Sequence, residues 1–339
     1  MKKAVIFGER QAGLVEVPDP QPREDWAVVK VQATPMCTEY KGYLAGRPSA
    51  YLGHEAVGEV IAIAQPCRVA VGERVVVMPQ YPCGQCALCV AGDYIHCQDN
   101  HDFESFMGTR EGSATYAQYA VKPSWLLPRI PDGVSYERAS LALCGLGPSF
   151  GAFEAMGLGA FDTILIAGLG PVGLGAVVNA RFRGARVIGV EPAPWRAERA
   201  RQMGAAAVID PRAGDALAQV LALTHDGRGV DCALDCSGTV QAQRLCIDAA
   251  RRKGRVAFVG ECHDELAIRV SPDMIRKGLT LIGSWHYNLR YVGPIMQVIQ
   301  ESPIIDLLIS HVMPMREFER AFELQAAGQC AKVILKPWE

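Results

Sequence analysis

The sequence predicts a two-domain α/β plus β protein, in which a doubly wound parallel sheet is inserted into an all-β, barrel-type domain. Three observations carry the prediction. Residues 1–145 are short apolar runs broken by Pro and Gly, residues 146–284 alternate strand-like and helix-like stretches, and residues 285–339 end in helix- and strand-like runs that we expect to return and pack on the first part. At 339 residues and 50% hydrophobic, the chain is long enough for two cores of ordinary size.

In the first part the runs KKAVIF, LVEVPD, WAVVKVQAT, AVGEVIAIA, ERVVVMP and ATYAQYAVKP read as strands. The second part opens with TILIAGLG and a helix from Pro171 through Arg183. RVIGVEP, a helix through Gln202, AAVID, VDCALDCSG, GRVAFVG and LTLIGSW follow. In the last part we expect a helix from about Tyr291 to Gln300, a strand near LLISHVMP, a helix from Arg316 to Ala327 and a closing strand KVILKP.

A formal charge of -2 and a pI of about 6.4 give no electrostatic case for a nucleic-acid or membrane-surface partner. The start MKKAVIFGER lacks an apolar stretch of signal-peptide type, and no window approaches the length of a spanning helix, so a cytoplasmic protein is expected. In that reducing compartment the 12 cysteines are metal ligands and buried small hydrophobes, not a disulfide framework.

The strand from Ile164 to Ala167 runs into G-L-G-P-V-G at the start of a helix. Glycine serves the tight turn, the close approach of a pyrophosphate and helix-on-strand packing, and the free N–H groups of the helix start hold the phosphates. Gly168, Gly170, Pro171, Val172 and Gly173 are therefore the expected cofactor contacts. A second strand, RVIGV, ends at Glu191, whose carboxylate would accept from the ribose hydroxyls and repel a 2′-phosphate; this favours NAD over NADP. Arg196 either lies against the adenosine ribose or a phosphate, or is a solvated helix arginine.

Cys83, Cys86, Cys89 and Cys97 stand as C-x2-C-x2-C-x7-C in a Pro- and Gly-rich loop. Four thiolates so spaced can close a tetrahedron around Zn2+ with no open position, a structural site. His96 beside them reads as a loop residue. Between Cys83 and Cys97 there is no Lys or Arg, which argues against a zinc ribbon for nucleic acid. Cys37 follows a strand, and Gly53-His54-Glu55 opens another apolar segment. A thiolate, an imidazole and one further ligand would leave a fourth zinc position open for Lewis-acid chemistry. Taken alone, either Cys37 or His54 also fits a packed core position.

The order Cys37, G-H-E-A-V-G-E-V at 53–60, the four lobe cysteines, G-S-A-T-Y-A-Q-Y-A at 112–120, Cys144 and then G-L-G-P-V-G resembles the zinc-containing medium-chain alcohol, sorbitol-type polyol and threonine dehydrogenases over essentially the whole chain. The resemblance implies a GroES-like catalytic domain (1–145 and 285–339, with the zinc lobe at about 80–100) and an inserted Rossmann cofactor domain (146–284). It further implies two zincs per subunit, with Cys37, His54 and Cys144, seven residues before Gly151, on the catalytic one. Glu55 is implied as an exchangeable fourth ligand or an outer carboxylate. A homodimer or homotetramer joined at Rossmann edge strands is implied as well, and LTLIGSW is compatible with it.

One segment departs from the family. Cys37-Thr38-Glu39-Tyr40-Lys41 looks one residue short, with Glu for Asp and no relay histidine. Thr38 is then the nearest hydroxyl to carry the proton, Glu39 orients a ligand, Tyr40 faces the substrate, and Lys41 stands where the histidine would be. Asp235, Ser237, Gly238, Val259, Gly260, Ser284 and Trp285 are candidate contacts at the cofactor end, whereas Arg269 and Arg290 read as solvated. The stretches Asp102–Phe106 and Trp285–Asn288 are expected to line a pocket for a small hydroxylated or amino-hydroxylated substrate, with His286 either a proton-transfer group or a loop histidine. The alternative is a reductase of an activated C=C or C=N bond with zinc in a structural role only.

Overall fold

A computed structural model describes residues 1–339. Near the N-terminus, β1 (Lys2–Gly8) and β2 (Gln11–Glu16) form an antiparallel hairpin. The first large sheet is built around β3 (Trp26–Pro35), which pairs antiparallel with β4 (Ala56–Ala62) on one side and with β6 (Tyr119–Pro123) on the other. β5 (Arg74–Val77) pairs with β4. Every second residue of β3, Ala27, Val29, Val31 and Ala33, is fully buried, whereas Lys30 and Gln32 on the alternate face are half-buried.

The second sheet is wholly parallel: β7 (Thr163–Ala167), β8 (Arg186–Val190), β9 (Ala207–Ile209), β10 (Val230–Asp235), β11 (Ala250–Phe258) and β12 (Thr280–Gly283) lie in the order β12-β11-β10-β7-β8-β9. The order reverses between β7 and β10, and at such a switch the crevice beyond the carboxyl ends of the strands is the ligand site. The TILIA segment of β7 is apolar because helices cover both faces of this strand. The helix Pro171–Phe182 starts with proline at its first position and ends before Gly184, whose φ of +81° suits a helix terminus.

The chain then returns to the first sheet. β13 (Ile309–Pro314) and β14 (Lys332–Lys336) extend it, β14 pairing antiparallel with the end of β3 through Ile334–Pro35 and Leu335–Thr34. The helix Phe318–Ala326 packs Phe318, Ala321, Phe322 and Gln325 inward, the spacing of one helical face. This return sets Lys332 directly beneath the end of β3 that leads into Cys37, where the Met36 amide donates to the Val333 carbonyl at 2.9 Å. No helix is long and apolar enough to cross a membrane.

Candidate active site and metal centres

Two groups of metal-ligating side chains form, and in each the ligand atoms lie within 4.8 Å of one another. In the lobe, the Cys83–Cys89, Cys86–Cys97 and Cys97–Cys83 sulfurs are 4.0, 3.9 and 3.6 Å apart. Zn–S bonds of about 2.3 Å in a tetrahedron put sulfurs about 3.8 Å apart, so this donor set fits Zn2+. Backbone amides of Cys83 and Asp99 donate to the Cys97 sulfur at 3.3 and 3.4 Å, and the Cys86 amide to Cys83 at 3.3 Å, which favours thiolates. A hydrogen bond from the Cys89 amide helps hold the Cys86 thiol down to about 6, while burial pushes Cys89 up.

The second group unites Cys37, His54, Glu55 and Cys144. Cys37 follows β3, His54 and Glu55 precede β4, and Cys144 comes from the turns before the helix Gly147–Met156, with its sulfur 3.4 Å from His54 Nε2. The neighbouring Cys144 thiol holds Cys37 well below its ordinary value. His54 is raised well above its own, against burial, by Cys37 and Glu39. Negative charge thus accumulates at a half-exposed imidazole, and a divalent cation would compete for that place, so this donor set also fits zinc.

Outer contacts hold the group in place. Glu39 Oε1 lies 3.0 Å from His54 Nδ1, while Oε2 accepts from the Cys37 amide and the Tyr116 hydroxyl, both at 3.1 Å. Burial opposes ionisation of Glu39, but the bonds from His54 and the Cys37 amide hold it down to about 2. With Nδ1 engaged, Nε2 is left facing the sulfurs, the arrangement by which a carboxylate fixes a ligating imidazole. Glu55 accepts from Lys332 Nζ at 2.9 Å and from the Cys144 amide at 2.9 Å. Both members of the Glu55–Lys332 pair are buried. Burial pushes Glu55 up to about 7, while Lys332, which also donates to the Met36 carbonyl, is kept charged by Glu55 and Cys37 despite burial.

The group opens on a cleft of about 520 Å³ whose walls include Cys37, Thr38, Lys41, His54 and Cys144 on one side and Val172, Cys236, Ser237, Val259 and Gly260 on the other. At the turn after β7, Gly168 has a φ of +88°, and a Cβ there would meet Ser237 at 2.7 Å; a Cβ on Gly173 would meet the Gly168 carbonyl at 1.9 Å. Glu191 is buried at the end of β8, accepting from the Leu169 amide at 2.7 Å and the Ala193 amide at 2.9 Å. Arg196 donates to the Cys330 and Gln325 carbonyls, and Gly170 lies beside its guanidinium.

Not every candidate reaches the cleft: Tyr40, expected to face the substrate, does not line it and packs against the cluster that contains Met36 and Phe322. Ser284 does not line the cleft either and donates its amide to the Phe258 carbonyl; of Trp285–Asn288, Trp285 and His286 line it, whereas Tyr287 turns to Met78 and Asn288 to Ala91 and Asp93. The expectation for Asp102–Phe106 is corrected: these residues form the N-cap and most of a short helix, Phe103–Met107, away from the cleft. Phe103 and Phe106 instead pack on Trp26, with ring centroids 5.8 and 4.6 Å away and the planes tilted, an arrangement that aromatic rings favour. Residues that the sequence reading passed over are Tyr116, Lys332, Gln80, Arg47, Glu261 and His263. Lys332 had a signal, a lone charge opening the apolar run VIL, and Tyr116 lies in the G-S-A-T-Y-A-Q-Y-A run at 112–120; the others had none.

Comparison with known proteins places these features in a family. The model for a zinc-binding dehydrogenase matches residues 171–301, and the model for an alcohol dehydrogenase GroES-like domain matches residues 23–132. The chain is 32% identical to a sorbitol dehydrogenase of Bacillus subtilis over 99% of this chain and 97% of that one. It is 31% identical to an L-threonine 3-dehydrogenase of Pyrococcus horikoshii over 95% and 94%. Among solved structures, an alcohol dehydrogenase from a Thermus species superposes with a TM-score of 0.90 at 25% identity, over 99% of both chains.

Proposed function

Because the chain belongs to the zinc-dependent medium-chain dehydrogenases, we propose that it transfers a hydride between a secondary alcohol, polyol or amino alcohol and NAD(H). The observation that carries this reading is the Cys37, His54 and Cys144 group opening on the same cleft as Val172, in the first turn of the helix that follows the glycine turn. Zinc there would be held by Cys37, His54 and Cys144, and a second zinc by the four lobe cysteines, giving two per subunit. Bound, the metal supplies Lewis acidity for the substrate oxygen and the nicotinamide supplies the hydride acceptor.

The chain's own groups do the rest. Thr38, exposed in the cleft, passes the alcohol proton towards solvent, and Lys41 on the same wall favours its departure. Glu39 keeps the His54 ring in one tautomer and orientation. Glu55, tied to Lys332, acts from outside the ligand set. Gly168, Gly170, Pro171, Val172 and Gly173 take the pyrophosphate at the helix start, and Ser237 and Val259 take the nicotinamide end. NAD is preferred over NADP because Glu191 is a buried carboxylate at the ribose position. The nearby cations are also committed, Arg196 to backbone carbonyls and Arg212 to Asp210.

We assign residues 1–145 and 285–339 to the catalytic domain and 146–284 to the cofactor domain. A homodimer or homotetramer is supported by the β12 edge strand, unpaired on its outer side, and by exposed Ile268, Val270 and Ile275 in the segment before it. A cytoplasmic location accords with 12 cysteines that are all unpaired. The test is zinc content and NAD or NADP reduction by unaltered protein, Cys37→Ala and Cys83→Ser against a panel of polyols and amino alcohols. Two zincs per subunit, falling to one in a folded but inactive Cys37→Ala, with NAD-linked turnover in the unaltered protein, is the expected result. One zinc that persists in Cys37→Ala, with no alcohol oxidised, would reject it.

A further inference from the structure

Asp235 closes β10 and is fully buried, yet no lysine, arginine or histidine pairs with it. A buried charge without a counter-ion is costly, so its neighbours decide whether the group is built as an anion. All of them donate to it. Oδ1 accepts from the Ser237 amide at 2.9 Å and the Ser237 hydroxyl at 2.8 Å, Oδ2 accepts from Gln243 Nε2 at 3.3 Å, and both oxygens lie 3.3 Å from the Gly238 amide. A protonated carboxyl needs an acceptor for its own hydrogen, and the three N–H groups of this set cannot serve as one. Burial raises the carboxyl above its ordinary value, and the bonds from Ser237, Gln243 and Gly238 work against that rise.

The carboxylate stands directly behind the cleft wall. Ser237, Val259 and Gly260 line the cleft, whereas Asp235 does not. Its carbonyl accepts from the Val259 and Gly260 amides, both at 3.0 Å, which ties the end of β10 to the end of β11. Bare glycines let these segments close over the charge: a Cβ on Gly260 would meet the Gly238 nitrogen at 2.2 Å and Asp235 Oδ2 at 3.0 Å, and one on Gly238 would meet the Glu261 carbonyl at 2.3 Å. With protein and no solvent around it, the charge is weakly screened, and its field reaches the cleft more strongly than that of Glu261, which is exposed on the same wall. The cations of the cleft, Lys41 and Arg47, belong to the other domain and are both exposed.

We propose that the buried carboxylate of Asp235 makes the protein discriminate between the two redox states of its cofactor, holding the oxidised nicotinamide, whose ring is a cation, more tightly than the reduced one, whose ring is neutral. This rests on the dehydrogenase reading above, with the nicotinamide end at Ser237 and Val259. Hydride transfer from the alcohol carbon to the ring cancels the ring's charge, and with it the attraction to Asp235. The adenosine, riboses and pyrophosphate are the same in both states, so the ratio of the two affinities isolates the charge at this end.

The test measures dissociation constants without substrate, NAD+ by calorimetry and NADH by its fluorescence, for the unaltered protein, Asp235→Asn, Asp235→Ser and Ser237→Ala. NADP+ and NADPH take their place if the unaltered protein binds that pair instead. Asparagine keeps the shape and an acceptor for Ser237 but removes the charge. It should weaken NAD+ binding roughly 3- to 30-fold and change NADH binding less than about 2-fold. Asp235→Ser should shift the ratio in the same direction, and it carries the test if asparagine beside Gln243 prevents folding. Ser237→Ala keeps the charge and loses one donor, so it should move both affinities together and leave their ratio within about 2-fold. Equal weakening of both cofactors in the charge-free variants, or no change in either, would overturn the proposal and leave Asp235 as a support for the turn. Failure of the underlying reading looks different: the unaltered protein then binds neither cofactor pair, and the proposal falls with it.

Discussion

The two ligand groups are made of similar chemistry and assembled in opposite ways. The lobe takes Cys83, Cys86, Cys89 and Cys97 from one loop, whereas the cleft group draws Cys37, His54, Glu55 and Cys144 from three separate segments and leans on Lys332 from the end of the chain. A loop that supplies all of its own ligands can be closed by a metal and has no spare position for a substrate. A group gathered by the fold depends on the packing around it, and its open side faces the cleft. Damage to the first should appear as lost stability, and damage to the second as lost chemistry.

The sharpest way to break this contrast is the pair Cys37→Ala and Cys83→Ser. For Cys37→Ala, kcat/KM should fall by roughly 10⁴-fold or more with the unfolding midpoint nearly unchanged. For Cys83→Ser, the midpoint should fall by on the order of 5–10 °C, with activity surviving below it. Calorimetry and initial rates on the same samples decide; a large drop in midpoint for Cys37→Ala would erase the distinction.

Next in size is the buried pair beneath the cleft group. Lys332→Met leaves Glu55 buried without its cation and should cost about 3–5 kcal/mol in denaturant unfolding, whereas Lys332→Met combined with Glu55→Gln should recover most of that. If the double variant is no better than the single, the two side chains are not coupled. Glu39→Gln removes the carboxylate from His54 Nδ1, and a 10- to 100-fold loss in activity or zinc affinity is expected, as for other carboxylates behind a metal-bound histidine. Zinc retention under a competing chelator measures this directly.

The smallest effect tests whether the two regions are independent at all. Asn288 bonds Ala91 and Asp93 of the lobe, and His96 packs edge-on against Trp285 at 6.1 Å, so the lobe supports the loop that carries His286. Asn288→Ala should raise KM about 2- to 5-fold and leave kcat and the lobe zinc in place. An unchanged KM would mean the lobe stabilises the fold without shaping the cleft.

The lobe was fully legible in the sequence because its ligand spacing is short and covalent connection alone keeps the cysteines together. The glycine loop was legible for a similar reason: strand, turn and helix follow one another directly. Glu39 was visible as a departure beside Cys37, but its two other partners, the imidazole of His54 and the hydroxyl of Tyr116, come from distant segments. Asp102–Phe106 misled because aromatic faces with polar tips suit a pocket wall and a packed cluster equally well, and only the position of Trp26 decides between them.

Local spacing and periodicity specify the two sheet types, the four-cysteine cluster and the glycine-rich turn between strand and helix, whereas Cys37 and His54 were joined only through resemblance to a family. Tertiary structure alone decided that Lys332 supports Glu55, that Ser284 stays off the cleft while His286 lines it, and that the lobe braces that loop. Those contacts join residues far apart in the chain, and a buried polar group reveals its partner, or the lack of one, only when the surrounding backbone has excluded water.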